Sequence, residues 1–267
     1  MSGPPPALVA SLVDGPSLVA GVEWHAELAS TQEQALAAAR NGAPEMHLVI
    51  ADAQTAGRGR RGRSWQAPAG TSLLVSCVLR PAAPAGVLAL LPLLAGVALA
   101  EVADRYCPHV ALKWPNDLLL GGRKGAGIMA ETAADGAVVL GVGVNVDWRD
   151  HPRPADAPDA TSLAEAGGAP VGRWRVLAAF AGLFGRRYLD WQEQPTGFLD
   201  AYRARCATIG QPVRLTRGDQ VLLGVAEGVG EDGLLELRDR LGTLHRLWAG
   251  DVEHVRAPLT WGPCARP

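Results

Sequence analysis

Gly57-Arg58-Gly59-Arg60-Arg61-Gly62-Arg63 carries four arginines and three glycines in seven residues, shortly after the apolar run Met46–Asp52. Glycine lets a backbone fold close to a ligand with its N–H groups turned inward. Arginine adds a planar, permanently charged fork that matches phosphate oxygens. A phosphate-holding loop is one reading; a solvated basic turn or a nucleic-acid tether is the other. A second constellation is Lys113-Trp114-Pro115-Asn116-Asp117, followed by Arg123-Lys124-Gly125-Ala126-Gly127-Ile128. Lys113 and Lys124 are the only lysines of the chain, so arginine supplies nearly all its positive charge. A lysine beside Gly-x-Gly on a strand points to an ammonium aimed at a ligand that approaches the backbone closely. The plain alternative is a pair of surface lysines on a hairpin, and Asn116-Asp117 after proline also reads as an Asx turn. Gly141-Val142-Gly143-Val144-Asn145-Val146 strips one strand face of side chains, leaving a floor for a flat ligand or another backbone. None of these residues forms a nucleophile motif.

These residues need elements to hold them. Ser30-Thr31-Gln32-Glu33 has capping-box spacing, which predicts a helix from about Thr31 to Asn41, with Gly42 as its stop. Met46–Ala51, Ser72–Leu79 and the short run Val110–Lys113 read as strands. Val87–Tyr106 reads as a helix bent or begun at Pro92. Leu118–Leu120 and Lys124–Thr132 form a hairpin about Gly121-Gly122, and Val138–Val146 follows across an Asp135-Gly136 turn. Asp150–Pro158 is a Pro/Asp-rich loop, Gly172–Gln192 a long helix and Thr196–Arg205 a shorter one. After Cys206 the texture changes to the short runs Val213–Leu215, Val221–Val229, Leu234–Arg238 and Leu244–Ala249, the spacing of a small antiparallel barrel. The expected organisation is an extension over 1–20, partly disordered, a main domain over 21–206, a small β domain over 207–257 and a tail over 258–267.

Composition narrows the class. At 267 residues, 48% hydrophobic and 19% charged, the chain can bury a large core. The net charge of −2 disfavours a dedicated DNA-binding protein and makes the arginine string a local feature. Cys77, Cys107, Cys206 and Cys264 are scattered without a CxxC pair, which fits neither a disulfide scaffold nor a zinc site and points to a reducing cytoplasm. Leu88–Ala100 is apolar, but it is broken by Pro92 and too short to span a bilayer; it reads as a buried helix. The start of the chain lacks a basic region and carries Pro4-Pro5-Pro6, unlike a signal peptide.

In the order Ser30-Thr31, Gly57–Arg63, Lys113–Asp117, Arg123–Ile128 and Gly141–Val146, the chain resembles the biotin protein ligases (biotin–[acetyl-CoA-carboxylase] ligases). The resemblance runs from about Glu23 to Arg256 and includes Ala249-Gly250-Asp251-Val252 of the small domain. It implies an α+β fold, a mixed sheet packed with helices as in class II synthetases and biotin–lipoate ligases, followed by a small antiparallel β-barrel. It implies a reaction in two steps: biotin and ATP form biotinyl-5′-AMP, and the acyl group passes to a lysine of a biotin carboxyl carrier domain of an acetyl-CoA or acyl-CoA carboxylase. By likeness, Ser30, Thr31 and Gln54 line the biotin pocket, and Gly57, Arg58, Gly59, Arg60 and Arg61 close over biotin and phosphates. Lys124 contacts the reacting carboxylate and α-phosphate, and the Gly127 backbone approaches the ureido end. Lys113, Asn116 and Asn145 complete the binding set. Arg58, Arg60, Asp117 and Lys124 are the catalytic candidates, working with Mg²⁺ whose ligands stay unassigned; Asp117 would orient the acceptor amine or a metal. Arg61 and Arg63 would be structural or at the phosphate rim. Trp65 and Trp114 would pack beside the ligand or in the core. Gln32 departs from the family's Ser-Thr-Asn, so no biotin contact is carried to that position.

Some relatives repress transcription through a winged helix, for which the residues before Ser30 are too few against a domain minimum of about 50 residues. The expectation is therefore a ligase that binds no DNA and no membrane, as a monomer or homodimer. A lipoate or octanoate ligase or transferase of the same fold, an RNA-binding module using the arginine loop, and a non-catalytic biotin sensor are the competing readings.

Overall fold

The computed structural model describes residues 3–15, 18–248 and 250–254; the expected 258–267 tail lies outside them. The chain order is α1 (Pro6–Val13), β1 (Gly21–Leu28), α2 (Thr31–Arg40), β2 (His47–Gln54), a 3₁₀ turn (Arg60–Gly62), β3 (Ser72–Leu79), α3 (Ala85–Leu88) and α4 (Leu91–Ala103). The hairpin strands β4 (Val110–Lys113), β5 (Asp117–Leu120), β6 (Arg123–Thr132) and β7 (Val138–Asn145) follow, then α5 (Leu163–Gly167), α6 (Arg173–Glu193) and α7 (Leu199–Arg205). The chain continues with β8 (Pro212–Arg217), β9 (Gln220–Val229), β10 (Leu235–Asp239), β11 (Leu244–Leu247) and β12 (Asp251–His254).

Strands β1 to β7 form one mixed sheet in the order β1-β2-β3-β7-β6-β5-β4, parallel only between β1 and β2. All eight residues of β3 are buried, as expected of a central strand covered on both faces. Helix α2 covers one face, packing Ala35 and Ala39 against Val49, Val78 and Val139. Helices α4, α6 and α7 cover the other; α4 packs against both α6 and α7, and all of its residues but Pro92 and Glu101 are buried. The apolar 85–103 segment is long enough to cross a membrane, yet α4 is the core helix of this face. Pro92 lies in its first turn, where a missing N–H costs nothing, so of the two readings, bent or begun at Pro92, the second holds, with α3 a separate short turn before it.

Strands β8 to β12 form a second, antiparallel sheet in the order β11-β10-β9-β8-β12. Among the described residues β11 and β12 are its edges; this is the small antiparallel β domain expected after Cys206. The Cys206–Gly210 stretch falls between the two sheets. The junction is bonded: Ala207 N–H donates to Leu112 O at 2.8 Å, Trp114 N–H to Thr208 Oγ1 at 3.1 Å, and the buried Trp114 indole to Gly233 O at 3.0 Å. Trp114 is therefore a strut between sheets as well as a cavity neighbour.

Three differences from the sequence reading have local causes. The 1–20 extension is not featureless: Pro6 starts α1, which packs its apolar face, with Leu12 buried, on α6 and β1. Ser30 sits at the N-cap of α2 but its side chain makes no capping bond; next to it, the Thr31 N–H donates to Gln54 Oε1 at 2.7 Å. The capping box that does form, Ser162 with Glu165, opens α5, an element the sequence reading passed over together with β1 and β12.

A buried ion pair joins β2 to α6. Asp52, its side chain fully buried, lies 2.7 Å from Arg173 Nη1 and accepts the Trp24 indole N–H at 3.0 Å. Removing one partner leaves a buried charge uncompensated. Asp52→Ala should cost about 3–5 kcal/mol in denaturant unfolding; a midpoint within error of wild type would show that the pair does not hold β2 against α6.

Candidate functional site

Side chains alternate across a strand. Val78, Ser76 and Leu74 of β3 therefore share the α2 face, as do Val139, Gly141 and Gly143 of β7. Helix α2 covers Val78 and Val139 and stops at Thr31. Beyond its N-terminus the same face opens into a cavity of about 240 Å³, lined by α2, β2, β3, the arginine loop, β5 to β7 and β12.

One end of the cavity is polar and neutral. Gln54 Oε1 accepts the Thr31 N–H and, at 3.1 Å, the Thr31 hydroxyl. Ser76 Oγ lies 2.9 Å from Thr31 Oγ1 and 3.2 Å from Gln32 Oε1, and Gln32 Nε2 donates to Val139 O at 3.0 Å. Ser30 Oγ is buried with no partner.

The other end is cationic. Lys113 and Asp117 pair across β4 and β5, and Lys124 of β6 puts Nζ 2.6 Å from Asp117 Oδ1. Arg60 donates to Asn116 Oδ1 at 3.1 Å, while Asn116 Nδ2 donates to Ile128 O at 2.8 Å. Burial pulls the Lys113 ammonium below the usual lysine range, with Asp117 opposing it. Burial likewise lowers the Arg60 guanidinium, against Asp117 and Asp251, although an arginine keeps its charge in any case. A depressed lysine in a cleft marks a functional-site candidate.

The arginine loop spans the cavity mouth. Gly59 N–H bonds Arg63 O at 2.8 Å and Trp65 N–H bonds Gly57 O at 2.9 Å. A Cβ at Gly57 would stand 2.3 Å from the Trp65 carbonyl oxygen, so that position requires glycine. Arg61, at φ 57°, and Gly62, at φ 75°, turn the tip. Arg61 bonds Thr216 O at 2.8 Å, and both Arg61 and Arg63 pair with Asp251. The two residues read as structural or rim thus clasp the loop to the small sheet.

Arg58 lines the cavity as expected, and its guanidinium forks onto both oxygens of Glu131, at 2.9 and 3.4 Å, a charge-assisted bidentate pair. The glycine floor is also taken. A Cβ at Gly143 or Gly127 would come 2.6 or 2.8 Å from the Trp65 ring, which rests on the floor with Lys124 Nζ 5.7 Å from its centroid. Asn145 does not line the cavity; its Nδ2 bonds Thr161 O at 2.9 Å, and its Oδ1 is buried without a partner. Ser30, Thr31, Gln54, Arg58, Gly59, Arg60, Arg61, Lys113, Asn116, Asp117, Lys124 and Gly127 are all brought to the cavity wall. The sequence reading missed Ser76, whose signal was a polar residue inside an apolar strand, and Glu131 and Asp251, whose roles depend on chain-distant partners.

Comparison with known proteins agrees with this geometry. Residues 27–147 match the biotin/lipoate A/B protein ligase family, and residues 208–255 match the biotin protein ligase C-terminal domain. The chain is 39% identical to a biotin–[acetyl-CoA-carboxylase] ligase of Mycobacterium tuberculosis, over 89% of this chain and 92% of that protein. It is 34% identical to the bifunctional ligase/repressor BirA of Bacillus subtilis, over 86% of this chain and 73% of that protein. Its fold superposes on a biotin protein ligase from Aquifex aeolicus in complex with biotin and ATP with a TM-score of 0.77 at 27% identity, over 89% and 99% of the two chains. With both of its sheets accounted for by the two matched domains, the chain belongs to the biotin protein ligase family.

Proposed function

We infer that this chain activates biotin with ATP and transfers the biotinyl group to a lysine of a carrier protein. The observation that carries the reading is the two-ended cavity, neutral and hydrogen-bonding at α2, cationic at β4 to β6. Biotin has the same division, a cyclic urea at one end and a carboxylate at the other. In the first step a carboxylate oxygen attacks the α-phosphorus of ATP and pyrophosphate leaves. In the second, the acceptor amine attacks the acyl carbon and AMP leaves.

The substrate's own carboxylate is the first nucleophile, so the protein's task is to hold two anions together. Positioning can supply roughly 7–11 kcal/mol of such a barrier, and each well-placed donor to developing charge about 3–4 kcal/mol. Lys124 and Arg60 are placed for the second role. Arg58 joins them by exchanging Glu131 for a phosphate, since a guanidinium fork fits either anion. Lys113 and Asn116 support the same end. Asp117 holds Lys124 in place and would receive the incoming amine.

Mg²⁺ is normally held by one or two carboxylates together with substrate phosphates. Among the described residues no group of three or more His, Cys, Asp or Glu side chains gathers as a cage, and Asp117, which lines the cavity with Asp251 and Glu253, is the carboxylate beside Lys124 that would fit the shared arrangement. There the ion would offset phosphate charge. The acceptor is the biotin carboxyl carrier domain of an acetyl-CoA or acyl-CoA carboxylase, and the chain works in the cytoplasm.

Biotin-dependent pyrophosphate release, followed by mass spectrometry of a carrier domain, tests the reading; turnover with lipoate and none with biotin would replace it. Lys124→Ala should lower adenylate formation by roughly 10²–10³-fold with an unchanged melting temperature, and an unchanged rate would remove Lys124 from the chemistry. Asp251→Ala should let trypsin cut at Arg61 and Arg63 several-fold faster. Equal cutting rates would show that Asp251 does not restrain the loop.

A further inference from the structure

We infer that Lys113 is the cation that receives the leaving pyrophosphate: its ammonium holds the β- and γ-phosphates of ATP and meets the charge they gain when the bond to the α-phosphorus breaks. The inference rests on the ligase reading above and deepens it, giving Lys113 a part in adenylate formation that Lys124 and Arg60 do not fill.

The partners of the cations in the cavity wall lead to it. Arg58 pairs with Glu131, Arg60 donates to Asn116, and Arg61 and Arg63 pair with Asp251. Lys124 Nζ lies 2.6 Å from Asp117 Oδ1. Each of these is held by a protein group. Lys113 lines the same cavity and differs. Among the described residues, the carboxylates that act on its ammonium are Asp117 and Glu253, and both do so through space, beyond the range of a hydrogen bond or close ion pair. Asp117 is in any case engaged by Lys124. Burial meanwhile disfavours the Lys113 charge. A cation drawn partly out of water needs a counter-charge, and here the fold leaves that place to an anion from outside the chain.

The sheet order says which anion. Across the cavity the strands run β3-β7-β6-β5-β4. The neutral end lies where α2 packs on β3 and β7. Lys124 comes from β6 and Lys113 from β4, two strands further on. At about 4.8 Å per strand, the Lys113 backbone stands roughly 10 Å beyond that of Lys124. Lys113 is directly opposite Asp117, and Asp117 is opposite Gly127 of the glycine floor, so the three share one face of the sheet. An acid whose ring lies by α2 and whose carboxylate meets Lys124 has the α-phosphate there too. Beyond it lie an uncharged nucleoside and two charged phosphates, and an ammonium without a close partner matches the phosphates. As the carboxylate oxygen bonds to the α-phosphorus, the bridging oxygen departs with the electron pair of the broken bond. Negative charge therefore grows on pyrophosphate, and a cation waiting there acts most strongly in the transition state.

The test is biotin-dependent exchange of radiolabelled pyrophosphate into ATP by the full chain and by Lys113→Gln and Lys113→Met, beside transfer to a carrier domain from chemically prepared biotinyl-5′-AMP. Both variants remove the charge and keep a long side chain, so a folding failure in one leaves the other to report. Each should raise KM for ATP and for pyrophosphate roughly ten- to a hundredfold and leave KM for biotin within about threefold. Transfer from the supplied adenylate should stay near the wild-type rate, since that step contains no pyrophosphate. Folded variants with wild-type KM for ATP and pyrophosphate would overturn the assignment. So would a matching fall in transfer from the adenylate, the mark of a structural role, or a rise confined to KM for biotin, which would put Lys113 on the carboxylate. If the wild-type chain exchanges no pyrophosphate in the presence of biotin, the ligase reading itself fails, a result distinct from these.

Discussion

Positive charge held at a partly buried cavity is the constraint around which the rest of this structure is arranged. Like charges in such a place repel, and burial costs each of them. The depressed Lys113 and Arg60 show that cost. The chain offsets it by interleaving carboxylates. Asp117 stands between Lys113 and Lys124, and Asp251 stands under Arg61 and Arg63. Lys124 and Arg60 are each held by a protein partner, Asp117 and Asn116, and preorganised cations of this kind need little rearrangement to meet an anion.

That arrangement depends on glycine and on the second sheet. Gly127, Gly141 and Gly143 lie on adjacent strands of the α2 face, and the space their missing side chains leave is filled by Trp65 and Gln32. Asp251 and Thr216 belong to the small sheet, so the arginine loop is tied to both sheets at once. Trp114 and Thr208 hold those sheets in register at the cavity rim. The small sheet is in this sense part of the site.

Much of this was legible in the sequence. The strands β3 to β7 and the helices α2, α4 and α6 announce themselves by apolar runs and periodicity, because each buries a continuous face. The arginine string, Lys113–Asp117 and Lys124 stand out by residue type in a chain with so little lysine. What was hidden depends on contacts distant in sequence. Arg58 pairing with Glu131, Trp65 lying on the glycine floor and Gln54 bonding the first N–H of α2 all arise from tertiary neighbours that no local spacing encodes. Strand β1 was missed because it is a half-exposed edge strand with polar residues interleaved, GVEWHAEL, and β12 because it is four residues long.

The measurement closest to the central claim is a crystal structure with a non-hydrolysable sulfamoyl analogue of biotinyl-AMP. It should show the sulfamoyl group against Lys124 and Arg60, Arg58 released from Glu131 to meet it, and the heterocycle lodged by α2. An analogue bound with its linkage away from these cations, or with the heterocycle at the cationic end, would contradict the account.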